Sequence, residues 1–156
     1  MFSRRLLLQA VKARTYATES VAETLKLQFA LPHKTLFKNA SVAQVNLPVQ
    51  SGSIGVLANH VPIVEQLTPG VVEVFETLNG TPKKFFVSGG FANIQPDSVL
   101  NITSVEAFPL EEFDSSAIKS LIQEASKNVT SSNEEVATKA QIELDVLENL
   151  QASLKA

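Results

Sequence analysis

The chain of 156 residues contains no cysteine, which removes disulfides, thiolate nucleophiles and sulfur metal sites together, so the fold must hold by packing alone. No uninterrupted apolar run approaches the roughly 20 residues that a membrane-spanning helix needs. Any association with a membrane is therefore expected to be peripheral. The phosphate-loop pattern G-x-x-x-x-G-K-[ST] is absent, leaving nucleotide hydrolysis without visible machinery. The nucleophile elbow G-x-S-x-G is absent too, since Ser88 stands in Val87-Ser88-Gly89-Gly90, a stretch better suited to a backbone turn or close approach. His33 and His60 are far apart and no H-E-x-x-H pattern occurs, so no metal site is expected.

Acidic residues are missing from one region in particular. Arg4, Arg5, Lys12 and Arg14 precede the first acid, Glu19. A basic, acid-free start with apolar residues interspersed among its cations reads as a mitochondrial transit peptide over residues 1–17, cut near Tyr16. Taking those four from the 13 basic residues leaves 9 against 16 acidic ones, a charge of about −7 on the remainder. A net acidic body argues against nucleic-acid binding, which needs clustered cations to displace counterions from phosphates.

The rest of the chain changes period once. Leu25, Leu27, Phe29 and Leu31 alternate with Lys26, Gln28 and Ala30, the period of two of a half-buried strand. The polar stretch from Pro32 is expected to end it. A second alternation runs through Val45, Leu47 and Val49, followed by a glycine-bearing loop, then Val61 to Val64 and Val71 to Thr77. Asn79-Gly80 predicts a tight hairpin leading to Phe85–Val87. Phe91 to Ile94, the turn Gln95-Pro96-Asp97-Ser98 and Val99 to Val105 complete the series. Short strands at this spacing predict an antiparallel β-sandwich or flattened barrel over residues 18–108, without parallel β-α-β units.

From residue 109 to 156 the spacing becomes helical. Asp114 is placed to cap a helix carrying Ala117, Ile118, Leu121, Ile122, Ala125 and Val129, and Ser132-Asn133-Glu134-Glu135 offers a capping box for a second with Val136, Ala140, Leu144, Leu147 and Leu154. Such a two-helix hairpin is marginal alone and must pack on the β domain or on another protein. Glu111, Glu112 and Asp114 read as acids favouring the positive end of the first helix. His60, with no acid near it in sequence, reads as a loop or contact residue, and no catalytic residue or cofactor is expected. A small enzyme of the mitochondrial matrix using His60 is the competing reading.

Three linked stretches carry a family resemblance. Ser51-Gly52-Ser53-Ile54-Gly55-Val56-Leu57-Ala58-Asn59-His60-Val61-Pro62, then Leu67-Thr68-Pro69-Gly70-Val71-Val72, and Phe86-Val87-Ser88-Gly89-Gly90-Phe91 resemble, in this order, the signatures of the δ subunit family of mitochondrial ATP synthase, similar to the bacterial and chloroplast ε subunit. The resemblance covers residue 22 to the end. It implies a non-catalytic part of the central rotor, at the matrix side of the inner membrane, touching the γ subunit, the c-ring and the small mitochondrial ε subunit. It places Ser51, Gly52, Ser53 and His60 towards the c-ring loops. Some bacterial relatives bind ATP through I/L-D-x-x-R-A. The corresponding Phe113-Asp114-Ser115-Ser116-Ala117-Ile118 keeps the aspartate without the arginine, so nucleotide binding is not expected.

Overall fold

The computed structural model describes residues 24–155; the stretch read as a transit peptide lies outside them. Ten strands form one curled sheet in the order β10-β7-β6-β3-β5-β8-β9-β1-β2, with β4 paired to β3. They are β1 (Leu25–Ala30), β2 (Thr35–Val42), β3 (Gln44–Val49), β4 (Gly52–Leu57), β5 (Ile63–Leu67), β6 (Gly70–Phe75), β7 (Lys83–Val87), β8 (Gly90–Ile94), β9 (Val99–Ser104) and β10 (Ala107–Pro109). A 3-10 turn, Leu110–Glu112, leads to helices α1 (Ser115–Asn128) and α2 (Glu134–Ser153).

Strand β3 makes the curl. Its Gln44–Asn46 half pairs with β6, while Val49 at its far end pairs with Leu67 of β5. The sheet can then turn back on itself, and the alternating apolar residues of its two halves meet. Leu25, Leu27 and Phe29 of β1 are fully buried, as are Val45 and Leu47 of β3 and Val72 and Val74 of β6, the inward set that a period of two produces. Phe85 seals the layers, edge-on to Phe29 at 6.0 Å and to Phe37 at 5.8 Å. The neighbouring Phe86 points to the opposite face of β7 and joins a second cluster with Ile118, Ala125, Leu147 and Leu150 of the helices. Adjacent residues of one strand thus serve the sandwich core and the helix interface.

Several expectations need correction. β1 and β9 pair in parallel, from Lys26↔Val99 to Ala30↔Thr103; alternation reports which side a residue faces and not the direction of its neighbour. The stretch after Pro32 forms β2, which period analysis missed because register shifts against Leu27, Phe29 and Ala30 insert bulges, one residue being Asn39 at φ 50. The glycine-bearing loop is in fact strand β4, paired along its length with β3. β6 and β7 do form a hairpin, yet residues 76–82 connect them, and neither Asn79 nor Gly80 takes the positive φ of a tight primed turn.

At the helices, Asp114 caps α1 as expected, its Oδ1 accepting from the Ser116 N–H at 2.7 Å. Those bonds from Ser116 hold its carboxyl below the usual carboxylate range. Glu111 and Glu112 lie in the preceding 3-10 turn, so the first turn of α1 contains no acid. Asn133, not Ser132, caps α2, accepting from the Glu135 N–H at 3.0 Å, while the Glu135 carboxylate meets Lys139. An asparagine one position later satisfies the same free amide.

Candidate functional site

Strand β4 organises the residues singled out in the sequence. It begins after the turn at Gln50 and Ser51, at Gly52, whose φ of 126° suits glycine. Ile54 and Val56 face inward opposite Leu47 and Val45. Gly55 lies under the side chains of its β3 neighbours: a Cβ there would come within 3.2 Å of Gln44 Nε2 and 3.3 Å of Asn46 Oδ1. Those amides hydrogen-bond to each other at 2.7 Å, and Asn46 Nδ2 donates to Glu73 Oε2 at 2.9 Å. The result is a chain of side-chain hydrogen bonds beside β4 that ends on the Glu73 carboxylate, itself 3.4 Å from Lys84 Nζ. Among the described residues β4 pairs only with β3, so its other side is a sheet edge, which offers backbone groups to a neighbour.

The predicted contact residues do not form one cluster. Ser51, Gly52 and Ser53 are exposed at the start of β4, whereas His60 follows its end. Five steps from Gly52 to Leu57 separate the two by about 17 Å at ~3.3 Å per residue. They mark the two ends of a single edge. Their sequence neighbourhood had suggested a loop, because glycines at 52 and 55 mask the strand signal.

His60 is half-buried, with Nδ1 2.8 Å from the Val61 carbonyl oxygen and its own N–H donating to the Leu57 carbonyl at 3.3 Å. No acid among the described residues is hydrogen-bonded to the ring in the manner that orients a general base. Among the described residues no group of three or more His, Asp or Glu side chains converges as a metal site. A depression of about 400 Å³ lies at this end of the sandwich, lined in part by Thr24, Val42, Leu57 and Leu78. Among its described lining residues the ionisable group is Glu76, which pairs with Lys83 at 2.6 Å. The described lining residues do not supply both an acid and a base.

The residues missed by sequence reasoning are Ser98 and the pair Gln44 and Asn46. Ser98 reads as a turn residue, and nothing local signals that its side chain reaches Asn59, whose N–H donates to Ser98 Oγ at 2.8 Å.

A curled β domain whose β4 pairs only with β3 among the described residues, followed by a docked helical pair, defines a β-sandwich protein with a C-terminal helical hairpin. Comparison with known proteins makes the assignment particular. Residues 24–107 match the family described as ATP synthase, Delta/Epsilon chain, beta-sandwich domain, and residues 113–152 match the fungal epsilon subunit of F1F0-ATP synthase C-terminal domain. The chain belongs to the delta/epsilon family of ATP synthase subunits. It is 63% identical to the mitochondrial ATP synthase subunit delta of Kluyveromyces lactis, over 93% of this chain and 89% of that protein. With the Saccharomyces cerevisiae subunit delta the identity is 60%, over 95% and 92%. Among solved structures, a chain of the Euglena gracilis mitochondrial ATP synthase aligns with a TM-score of 0.82 at 32% identity, over 90% of this chain and 87% of that one.

Proposed function

We propose that this chain is a rotor subunit of the mitochondrial ATP synthase, seated between the c-ring and the γ subunit in the central stalk and lying against the inner membrane from the matrix side. Rotation of the ring passes through it to the catalytic head, coupling proton translocation to ATP synthesis carried out by other chains. The observation that carries this reading is the combination of a close-packed β core with a strand, β4, that among the described residues pairs on one side only. No buried side-chain polar atom of the described residues lacks a partner, and close-packed interiors transmit strain with little deformation. The similar Euglena gracilis chain comes from a structure of OSCP, F1 and c-ring, which supports the placement.

The c-ring contact runs along the β4 edge, with Ser51–Ser53 at one end and His60 at the other. The helical pair contributes a second face towards the γ subunit and the small mitochondrial ε subunit. No helix among the described residues is long and apolar enough to cross a membrane, consistent with a peripheral position. Residues 1–17 act as the import signal, and the β domain gives way to the hairpin at Phe108–Pro109.

Deleting the chain in mitochondria tests the reading directly: proton-driven ATP synthesis and attachment of the rotor to the ring should both be lost. Retention of both would overturn it. His60→Ala separates it from the enzyme alternative, because a contact residue should weaken assembly modestly while a catalytic base would abolish a turnover measurable on the isolated chain.

A further inference from the structure

Ser98 and Ser104 are the buried polar residues among those described. Ser104 Oγ lies 2.7 Å from the carbonyl oxygens of Gly89 and Glu106, within the segments that follow β7 and β9. Ser98 sits at the other end of the sandwich and does something less local. Its carbonyl accepts from the Lys26 N–H at 2.9 Å, fastening it to β1. Its hydroxyl accepts from the Asn59 N–H and lies 3.5 Å from Asn59 Oδ1.

Both partners have left-handed backbones, Ser98 at φ 58 and Asn59 at φ 61. That conformation is unfavourable for a residue with a Cβ and free for glycine. If position 98 served only to turn the chain from β8 to β9, glycine would do it better. What serine adds is the hydroxyl, aimed across 39 positions of sequence at the loop between β4 and β5. A left-handed serine, held there at some cost, that meets a left-handed asparagine through part-buried hydrogen bonds helps to hold the segment in a single conformation. The segment held is Asn59-His60-Val61-Pro62, in which Val61 is 71% exposed.

We propose that Ser98 is a positioning residue for the subunit contact made by the Asn59–Pro62 loop: it fixes that loop on the β core, so that His60 and Val61 meet the partner already ordered and no ordering cost is added on assembly. The inference rests on the reading above that the loop lies on a subunit contact.

The test replaces the native chain in mitochondria with Ser98→Gly, His60→Ala or Val61→Asp. It measures the melting temperature of each full-length chain, hydrogen exchange over residues 58–62, and the amount of chain that co-purifies with the ATP synthase. Ser98→Gly relieves the left-handed strain as it removes the bond, so its melting temperature should stay near that of the unsubstituted chain. Exchange over the loop should nevertheless quicken about tenfold, the worth of one hydrogen bond, and co-purification should fall severalfold, as with Val61→Asp. Unchanged exchange in Ser98→Gly overturns the proposal. So does quickened exchange with full co-purification while His60→Ala or Val61→Asp still reduces it, because the loop would then not need fixing. If none of the three reduces co-purification, the contact reading fails and the positioning role fails with it.

Discussion

Phe86→Ala should detach the helices from the β domain before it harms the sandwich. Phe86 is 5% exposed and packs with Ile118, Ala125, Leu147 and Leu150, its ring edge-on to Phe113 at 5.9 Å. Truncating a buried aromatic of this kind removes roughly 150 Å² or more of apolar contact, about 4 kcal/mol at ~25 cal/mol per Å². Alanine keeps its own Cβ share of that area buried, which brings the expected loss to about 3 kcal/mol, at the low end for Phe→Ala. The loss falls on one interface, because Phe86 faces away from the core that holds Phe85 and Val87. A two-helix hairpin without its seat is marginal in water, so α1 and α2 should lose hydrogen-exchange protection by about a hundredfold, the equivalent of ~3 kcal/mol. Amides of β1, β6 and β9 should remain protected. Urea unfolding followed by circular dichroism should show helix lost ahead of sheet. One cooperative transition with helix and strand protection falling together would refute the idea that Phe86 acts at a separable interface, and a loss below about 1 kcal/mol would refute the packing argument itself.

Gly90→Ala should destabilise far more than an exposed substitution, since Gly90 has φ 148 and a Cβ would overlap the Thr103 carbonyl oxygen; a loss above about 3 kcal/mol in urea unfolding is expected, and a change under about 1 kcal/mol would contradict the geometry. Asn133→Ala should cost about 1 kcal/mol by removing the acceptor for the Glu135 N–H, seen as fraying of the first turn of α2 in hydrogen exchange. Asp114 has its folded pKa lowered by the Ser116 hydrogen bonds, so its contribution is present above the ordinary aspartate value of about 3.9 and lost as pH falls through the lower folded value. Acid titration of helix content should therefore show α1 fraying below about pH 4 in the unsubstituted chain and no such step for Asp114→Asn.

Much of the β domain was legible because burial imposes a local period. The alternations at Leu25–Leu31 and Val45–Val49 became β1 and β3, and the switch to helical spacing after Pro109 became α1 and α2. The signal failed where backbone irregularity broke the period. Bulges hid β2, and glycines at 52 and 55 disguised β4 as a loop. At the helix starts a side-chain acceptor was needed, and reading spacing alone put it at Ser132 one residue before the asparagine that serves.

Family membership and the division into strand and helix regions are written in short-range pattern, where each residue reports its own exposure. Which strands lie side by side is not, since β1 and β9 are far apart in the chain and their parallel pairing saves no local feature to read. The same holds for the distance between Ser51 and His60 and for the bond from Asn59 to Ser98. Hydrophobic periodicity states that a side chain must be covered; only the assembled core, where every buried polar group has to find a partner, decides by what.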